Sequence, residues 1–267
     1  MYNILPFMEE QDLHDIGSGM TATAMRAATK QRIESPFEGM NCPTRRRTSV
    51  YAFQSSTLTF ALTDPFTFCS KTDYAANVGD LISPELSGGP AATGSDDYKT
   101  VRDTHNWSVY GSFAHSQYRG ENKATGVVFG RSEINFRQID DGTAKTYMVG
   151  EKYMSTDEYD SGLDYGDNEP AFSGNNTDTL RTTCYDRGPR GLLLLRPDQP
   201  GSSDDGLNGG KATNPGYGGE LIFGSAHPSG FNMALCDGSI SLVTFEIDRE
   251  VHRARGHRAD GVVTDTE

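Results

Sequence analysis

The sequence predicts an α+β domain built around an antiparallel sheet, and three observations carry that prediction. Residues 7–33 hold the one long stretch of helical character. From about residue 45 the texture changes to short alternating or β-branched runs that follow one another without intervening helix patterns. Near the C-terminus, Phe231-Asn-Met-Ala-Leu-Cys and Ser239-Ile-Ser-Leu-Val-Thr-Phe flank Asp237-Gly238, a pairing suited to the positive φ angles of a tight hairpin turn.

Taken in chain order, Phe7, Met8, Leu13 and Ile16 have helix-like spacing, and Met20-Thr-Ala-Thr-Ala-Met-Arg-Ala-Ala is good helix-forming sequence. Gly17 and Gly19 break this stretch into two short helices. Strands are expected within Ser49–Leu62, Thr125–Phe136, Lys145–Tyr153, Leu221–Phe223 and Phe231–Phe245. A second Asp-Gly pair, Asp141-Gly142, makes a turn entering the Lys145 strand. Ser83–Asp97 and residues 155–220 are expected as long loops, the latter interrupted only by Gly191-Leu-Leu-Leu-Leu-Arg196. Whole-chain composition fits one domain over residues 1–267, with 13 Phe, 12 Tyr and one Trp supplying bulk for a core.

Charge narrows the function classes. Lys plus Arg is 24 and Asp plus Glu is 37, a net charge of −13, which excludes a counterion-release mode of nucleic-acid binding. No apolar run reaches the roughly 18 residues of a membrane span. The chain opens Met1-Tyr-Asn-Ile-Leu-Pro-Phe-Met and turns acidic at Glu9 and Glu10, so it reads as a fold entered midway rather than a secretory signal. Four widely spaced cysteines (Cys42, Cys69, Cys184, Cys236) fit two disulfides or four buried thiols, and without a C-x-x-C pair they disfavour a structural zinc knuckle.

Motifs for familiar chemistries are missing: there is no G-x-S-x-G, no H-E-x-x-H, no dinucleotide fingerprint and no complete phosphate loop before Lys211. Acidic loops are where chemistry concentrates. Residues 157–169, with Asn175-Asn-Thr-Asp178 beyond, alternate carboxylates with Gly and Asn, which is what a hard cation such as Ca²⁺ needs from a tight turn. Asp164, Asp167, Asn168, Glu169 and Asp178 are the candidate ligands, Asp204-Asp205-Gly-Leu-Asn208 is a weaker second set, and a solvated acidic face is the competing reading. His227 and Asp237, nine residues apart, are weak catalytic candidates, as is His252; each also has a structural reading in a turn or a core. Trp107, Tyr110, Phe113, His115 and Tyr118 are either a glycan-binding surface or core packing.

His227-Pro-Ser-Gly-Phe-Asn-Met-Ala-Leu-Cys-Asp237-Gly238 fits an H-x9-D-G pattern and resembles the C-terminal signature of a large prepilin-like family of unknown function, abundant in planctomycete-type bacteria. Further blocks agree in order: Asn3-Ile-Leu-Pro-Phe-Met-Glu-Glu-Gln, Asn41-Cys-Pro-Thr-Arg-Arg, Thr72-Asp-Tyr-Ala-Ala-Asn-Val-Gly-Asp80, Asp141-Gly-Thr-Ala-Lys-Thr-Tyr-Met-Val-Gly-Glu-Lys-Tyr153, and Ile247-Asp-Arg-Glu-Val-His252 with Asp260-Gly261. The resemblance implies a pilin- or pseudopilin-like fold, an N-terminal helix lying on an antiparallel sheet with long loop insertions. The leader and apolar helix with which such proteins begin are not in this chain. It further implies an exported protein of the periplasm, cell surface or extracellular space, self-associating or meeting other surface and secretion proteins, and bound Ca²⁺ ordering an acidic loop. The rival expectation is a hydrolase of an ester or lactone, dependent on Ca²⁺ or another metal, with His227 or His252 moving the proton.

Overall fold

Left-handed glycines divide the N-terminal segment as the sequence leads one to expect. The computed structural model describes residues 1–53, 60, 62–80, 124–129, 132–174, 177–186, 192–193, 195–201 and 219–262. After a 3-10 turn over Tyr2–Met8, helix α1 (Gln11–Asp15) ends before Gly17 (φ 87°) and Gly19 (φ 72°), and α2 (Ala22–Ile33) starts on the side chain of Thr21, which accepts the Ala24 N–H. Leu5, Leu13, Phe37, Met40 and Ala171 bury this region in a small cluster of its own. The helix that packs on the main sheet is instead α3 (Arg249–Gly256), which lies against β3 (Tyr74–Gly79) and accepts, at the Gly256 carbonyl, a 2.8 Å bond from Asn77 Nδ2. This corrects the expected arrangement. With Ala28 and Ile33 as its buried residues, α2 offers too little apolar surface to roof a sheet, whereas α3 brings His252, Ala254 and Gly256 close to the strands.

Five strands form that sheet, in the order β11 (Ile240–Thr244), β10 (Gly230–Leu235), β4 (Tyr147–Glu151), β3, β5 (Leu180–Thr182). Neighbours are antiparallel except β3 and β5, which run parallel with Ala76 opposite Leu180, so the sheet is mixed. The long connection between β3 and β5 supplies the length that a parallel return needs. Two-stranded pairs flank it: β1 (Val50–Ala52) with β2 (Phe68–Ser70), β6 (Tyr185–Asp186) with β7 (Leu192–Leu193), and β8 (Leu195–Pro197) parallel to β9 (Phe223–Ser225). The core under the hairpin is Tyr147, Phe223, Phe231, Met233, Leu235 and Val243.

The β10–β11 hairpin forms, but its turn is not a two-residue Asp-Gly loop. Leu235 donates to the Ser239 carbonyl and Gly238 to the Leu235 carbonyl, so Cys236, Asp237 and Gly238 make a three-residue loop with only Gly238 left-handed (φ 88°). Asp237 contributes through its side chain, which accepts from the Ser239 N–H and hydroxyl. Residues 125–129 and 132–136, expected as strand, are irregular and end in a 3-10 turn. Here Gly126 and Val128 donate to the Val78 and Asn77 carbonyls, and a Cβ on Gly79 (φ 116°) would collide with Thr125 and the Gly126 backbone. That close approach leaves no room for a regular partner strand.

None of the four cysteines forms a disulfide, and all are buried. Among the described residues no helix is long and apolar enough to cross a membrane. The aromatic set from Trp107 to Tyr118, the loop Ser83–Asp97 and the Asp204–Asn208 set lie outside the described residues.

Candidate functional site

Two adjacent arrangements, both anchored by the Asn41-Cys-Pro-Thr-Arg-Arg segment, concentrate the buried polar chemistry. The Cys42 carbonyl accepts from the N–H groups of Arg45 and Arg46, forming a tight turn that sends both guanidinium groups inward. Arg45 Nε meets Asp198 at 2.9 Å and its Nη2 donates to the Lys152 carbonyl at 2.7 Å. Arg46 pairs with Asp73 at 2.6 Å and grips Asp167 with both terminal nitrogens, at 2.6 and 3.0 Å. Lys152, at the end of β4, completes the network through Asp167 Oδ1 at 2.8 Å. Every one of these six side chains is almost wholly inaccessible to solvent.

This network decides how the acidic loop is organised. The Lys152 ammonium donates to the Gly166 carbonyl at 2.8 Å, to Asp167 Oδ1 at 2.8 Å and to the Asp178 carbonyl at 3.1 Å. An internal cation therefore sits among oxygens of the loop expected to hold Ca²⁺, and of the expected ligand side chains it engages the Asp167 carboxylate. Asp164 accepts the backbone N–H groups of Ser155 (2.7 Å) and Gly166 (2.9 Å), and Asp178 accepts that of Glu169 (2.8 Å), while the Glu169 carbonyl takes a 3.3 Å bond from Lys71 Nζ. Asp164, Asp167, Glu169 and Asp178 do not converge as a ligand set among the described residues, and Asn168 sits beside them only half-buried. These residues do not fit a Ca²⁺ site: Lys152 and Arg46 already supply the positive charge.

Burial alone pushes the Asp167 carboxyl up, but Arg46 and Lys152 beside it hold it well below the usual carboxylate range. Asp178 and Asp198 go the other way, raised chiefly by burial. Because Asp167 stays ionised in the fold to lower pH than in the unfolded chain, its contribution is fully present above the unfolded value of about 4 and is lost as pH falls further. Urea unfolding of the protein and of Asp167→Asn is expected to show a stability gap that is constant from pH 5 to 7 and narrows below pH 4.

The second arrangement lies at the outer end of the first. Cys42, Glu151 and His227 come from the turn after α2, the end of β4 and the β9–β10 turn, and their donor atoms all lie within 4.8 Å of one another. Cys42 Sγ is 3.5 Å from His227 Nε2, and the same nitrogen is 3.2 Å from Glu151 Oε1. Each member is held from behind. The Cys42 N–H donates to Asp73 Oδ2 at 2.8 Å, and Asn232 donates to Glu151 Oε2 through its backbone (2.7 Å) and side chain (3.1 Å). The His227 N–H bonds to Ser225 Oγ at 3.0 Å, and that hydroxyl donates to the Gly230 carbonyl at 2.7 Å. Glu151 is 1% exposed and His227 27%, so the imidazole is the solvent-facing member.

A nucleophile triad is not what this geometry makes. A relay needs the carboxylate on the ring nitrogen opposite the nucleophile, whereas thiol and carboxylate here meet the same nitrogen. Burial, with Glu151 nearby, pushes the Cys42 thiol up, the reverse of an activated cysteine. Of the other sequence candidates, Asp237 is exposed at the hairpin tip, at the far end of β10 from His227, and His252 is buried against the rings of Tyr147 and Phe231. Cys42 and Glu151 carried no local signal beyond their place in the sequence blocks. A third cluster, Asp141, His257 and Asp260, is committed to the chain: Asp141 accepts the Asp260 and Gly261 N–H groups at 2.8 and 2.9 Å, and His257 Nδ1 accepts that of Ala259.

A family model described as a protein of unknown function (DUF1559) matches residues 1–250, a span that takes in Cys42, Glu151 and His227. No curated protein and no solved structure matches the chain.

Proposed function

We propose that this chain, which belongs to the family of unknown function DUF1559, is an exported, pilin-like structural or interaction domain that associates with further copies of itself or with other surface and secretion proteins. One observation supports that reading above the rest. Strand β11 is an edge of the sheet among the described strands, and it exposes Ile240 (67%) and Leu242 (53%) on one face. The register continues the Ile240 row through Ala234, Val149 and Ala76, making an apolar stripe across β10, β4 and β3. An uncharged edge strand with an apolar face is a ready surface for association.

Sedimentation velocity over a hundredfold concentration range tests the self-association. Ile240→Lys combined with Leu242→Glu is expected to abolish it while moving stability by no more than about 1 kcal/mol, because both side chains are exposed. A monomer at every concentration, or association indifferent to both substitutions, argues against the stripe. Fractionation of the producing cells checks export, and recovery in the cytoplasm alone would overturn it.

The metal-dependent hydrolase of an ester or lactone remains as a second reading because donors of Cys42, Glu151 and His227 converge at a partly accessible position. Turnover of a panel of simple esters and lactones, lost in His227→Ala, is the result that favours it over the first.

A further inference from the structure

Three atoms of the kinds that ligate metals, a thiol sulfur, an imidazole nitrogen and a carboxylate oxygen, face one point. His227 Nε2 lies 3.2 Å from Glu151 Oε1 and 3.5 Å from Cys42 Sγ. A cation at that point engages all three. Ligand type and spacing together bear on the kind of cation. With metal–sulfur bonds of about 2.3 Å and metal–nitrogen or metal–oxygen bonds of about 2.0–2.1 Å, tetrahedral angles place S and N about 3.5 Å apart and N and O about 3.4 Å apart. Observed separations of 3.5 and 3.2 Å match this.

We propose that Cys42, Glu151 and His227 form a zinc-type transition-metal site, bound through Cys42 Sγ, Glu151 Oε1 and His227 Nε2. One thiolate, one imidazole and one carboxylate suit Zn²⁺ and its neighbours, and exclude Ca²⁺ and Mg²⁺, which take oxygen ligands. Supporting contacts have the form expected around a metal: Asn232 fixes the far carboxylate oxygen, Asp73 holds the Cys42 backbone, and Ser225 locks the turn carrying His227. Three protein ligands leave a fourth position, reached from solvent past the imidazole, for water or a donor from another molecule. The site follows from the donor geometry and stands whether or not the chain is exported or self-associates.

Cobalt titration of chelator-treated protein, followed by absorption and elemental analysis, tests the site. One Co²⁺ per chain is expected, with tetrahedral visible bands and a sulfur-to-cobalt charge-transfer band, displaced by one equivalent of Zn²⁺ but not by millimolar Ca²⁺. Cys42→Ser should lose the charge-transfer band, and His227→Ala should weaken binding at least tenfold. Asn232→Ala should weaken it by about 10–100-fold, as loss of a supporting contact does. Glu151 is buried, so Glu151→Gln is informative only if circular dichroism shows it folded; Cys42→Ser and partly exposed His227→Ala carry the test without it. A cobalt spectrum lacking the thiolate band, binding unchanged in both Cys42→Ser and His227→Ala, or displacement by Ca²⁺ overturns the assignment.

Discussion

Replacing Lys152 with methionine is expected to lower stability by about 3–5 kcal/mol, the cost of removing one partner from a buried ion pair. Lys152 Nζ is the donor to the Gly166 and Asp178 carbonyls as well as to Asp167 Oδ1. A thioether of similar length fills the space but donates to none of those oxygens; Arg181 Nη2 still reaches the Gly166 carbonyl at 3.1 Å, yet three charge-assisted bonds in the interior are lost together. Asp167 keeps Arg46, which limits the loss and keeps the carboxylate ionised. For a chain of this size each kcal/mol shifts the midpoint by about 2–4 °C, so thermal unfolding should fall by about 6–20 °C. Lys30→Met is the matched control. Lys30 reaches Glu34 at 3.8 Å on a half-exposed, solvent-screened helix face, where such pairs are worth about 0.5 kcal/mol. Lys152→Met combined with Asp167→Leu should cost less than the sum of the two single changes, since the double change leaves no uncompensated charge between them. Equal effects of Lys152→Met and Lys30→Met would mean that the network does not hold the loop.

Nothing local in Gly150-Glu-Lys-Tyr153 marks Glu151 and Lys152 as buried, and the same holds for Cys42 in its turn. Local chemistry is legible where the backbone demands a residue type: Gly17 and Gly19 between two helices, and Gly238 at φ 88° in the hairpin. It fails where a partner far along the chain decides the outcome. Cys42 and His227 are separated by 185 residues and meet only because β4, β10 and the turn after α2 come together. His227 was visible through its turn and its spacing to Asp237, yet its partners proved to be Glu151 and Cys42. Strand β3 escaped detection because Tyr74-Ala-Ala-Asn-Val-Gly79 has no polar–apolar alternation, as befits a strand covered by neighbours and by α3. The acidic loop misled in the opposite way: its carboxylates have the composition of a hard-cation site, but Arg46 and Lys152, supplied from other segments, meet the charge of Asp167. Helix α3, like β3, was missed: Asp248 caps it by accepting the Glu250 and Val251 N–H groups, but at eight residues it is too short to stand out among the strand-like runs beyond residue 45.

Phe231→Ala should be the most damaging single truncation in the hairpin core, at about 3–5 kcal/mol. The ring is fully buried, stacked on Phe223 with centroids 5.8 Å apart, edge-on to His252 at 6.1 Å and tilted against Phe245 at 6.4 Å. Removing it empties a space walled by two strands and a helix, and neither side can close without breaking the β10–β11 register, in which Phe231 faces Val243. The damage should reach the candidate metal cluster as well. Asn232, the next residue on β10, places both its donors on Glu151 Oε2, and the Gly230 carbonyl anchors Ser225 beneath His227. A loosened β10 therefore frees the carboxylate and the imidazole together, and Cys42, whose thiol lies 3.5 Å from that imidazole, becomes accessible. Chemical denaturation measures the stability loss, and the rate of Cys42 modification under native conditions, in a variant keeping Cys42 as its one cysteine, measures the opening. Phe231→Leu, which retains apolar bulk, should lose less on both counts. A Phe231→Ala variant destabilised by under about 1 kcal/mol would show that the ring is not a keystone of this core, and modification as slow as in the parent would show that β10 does not hold the cluster closed.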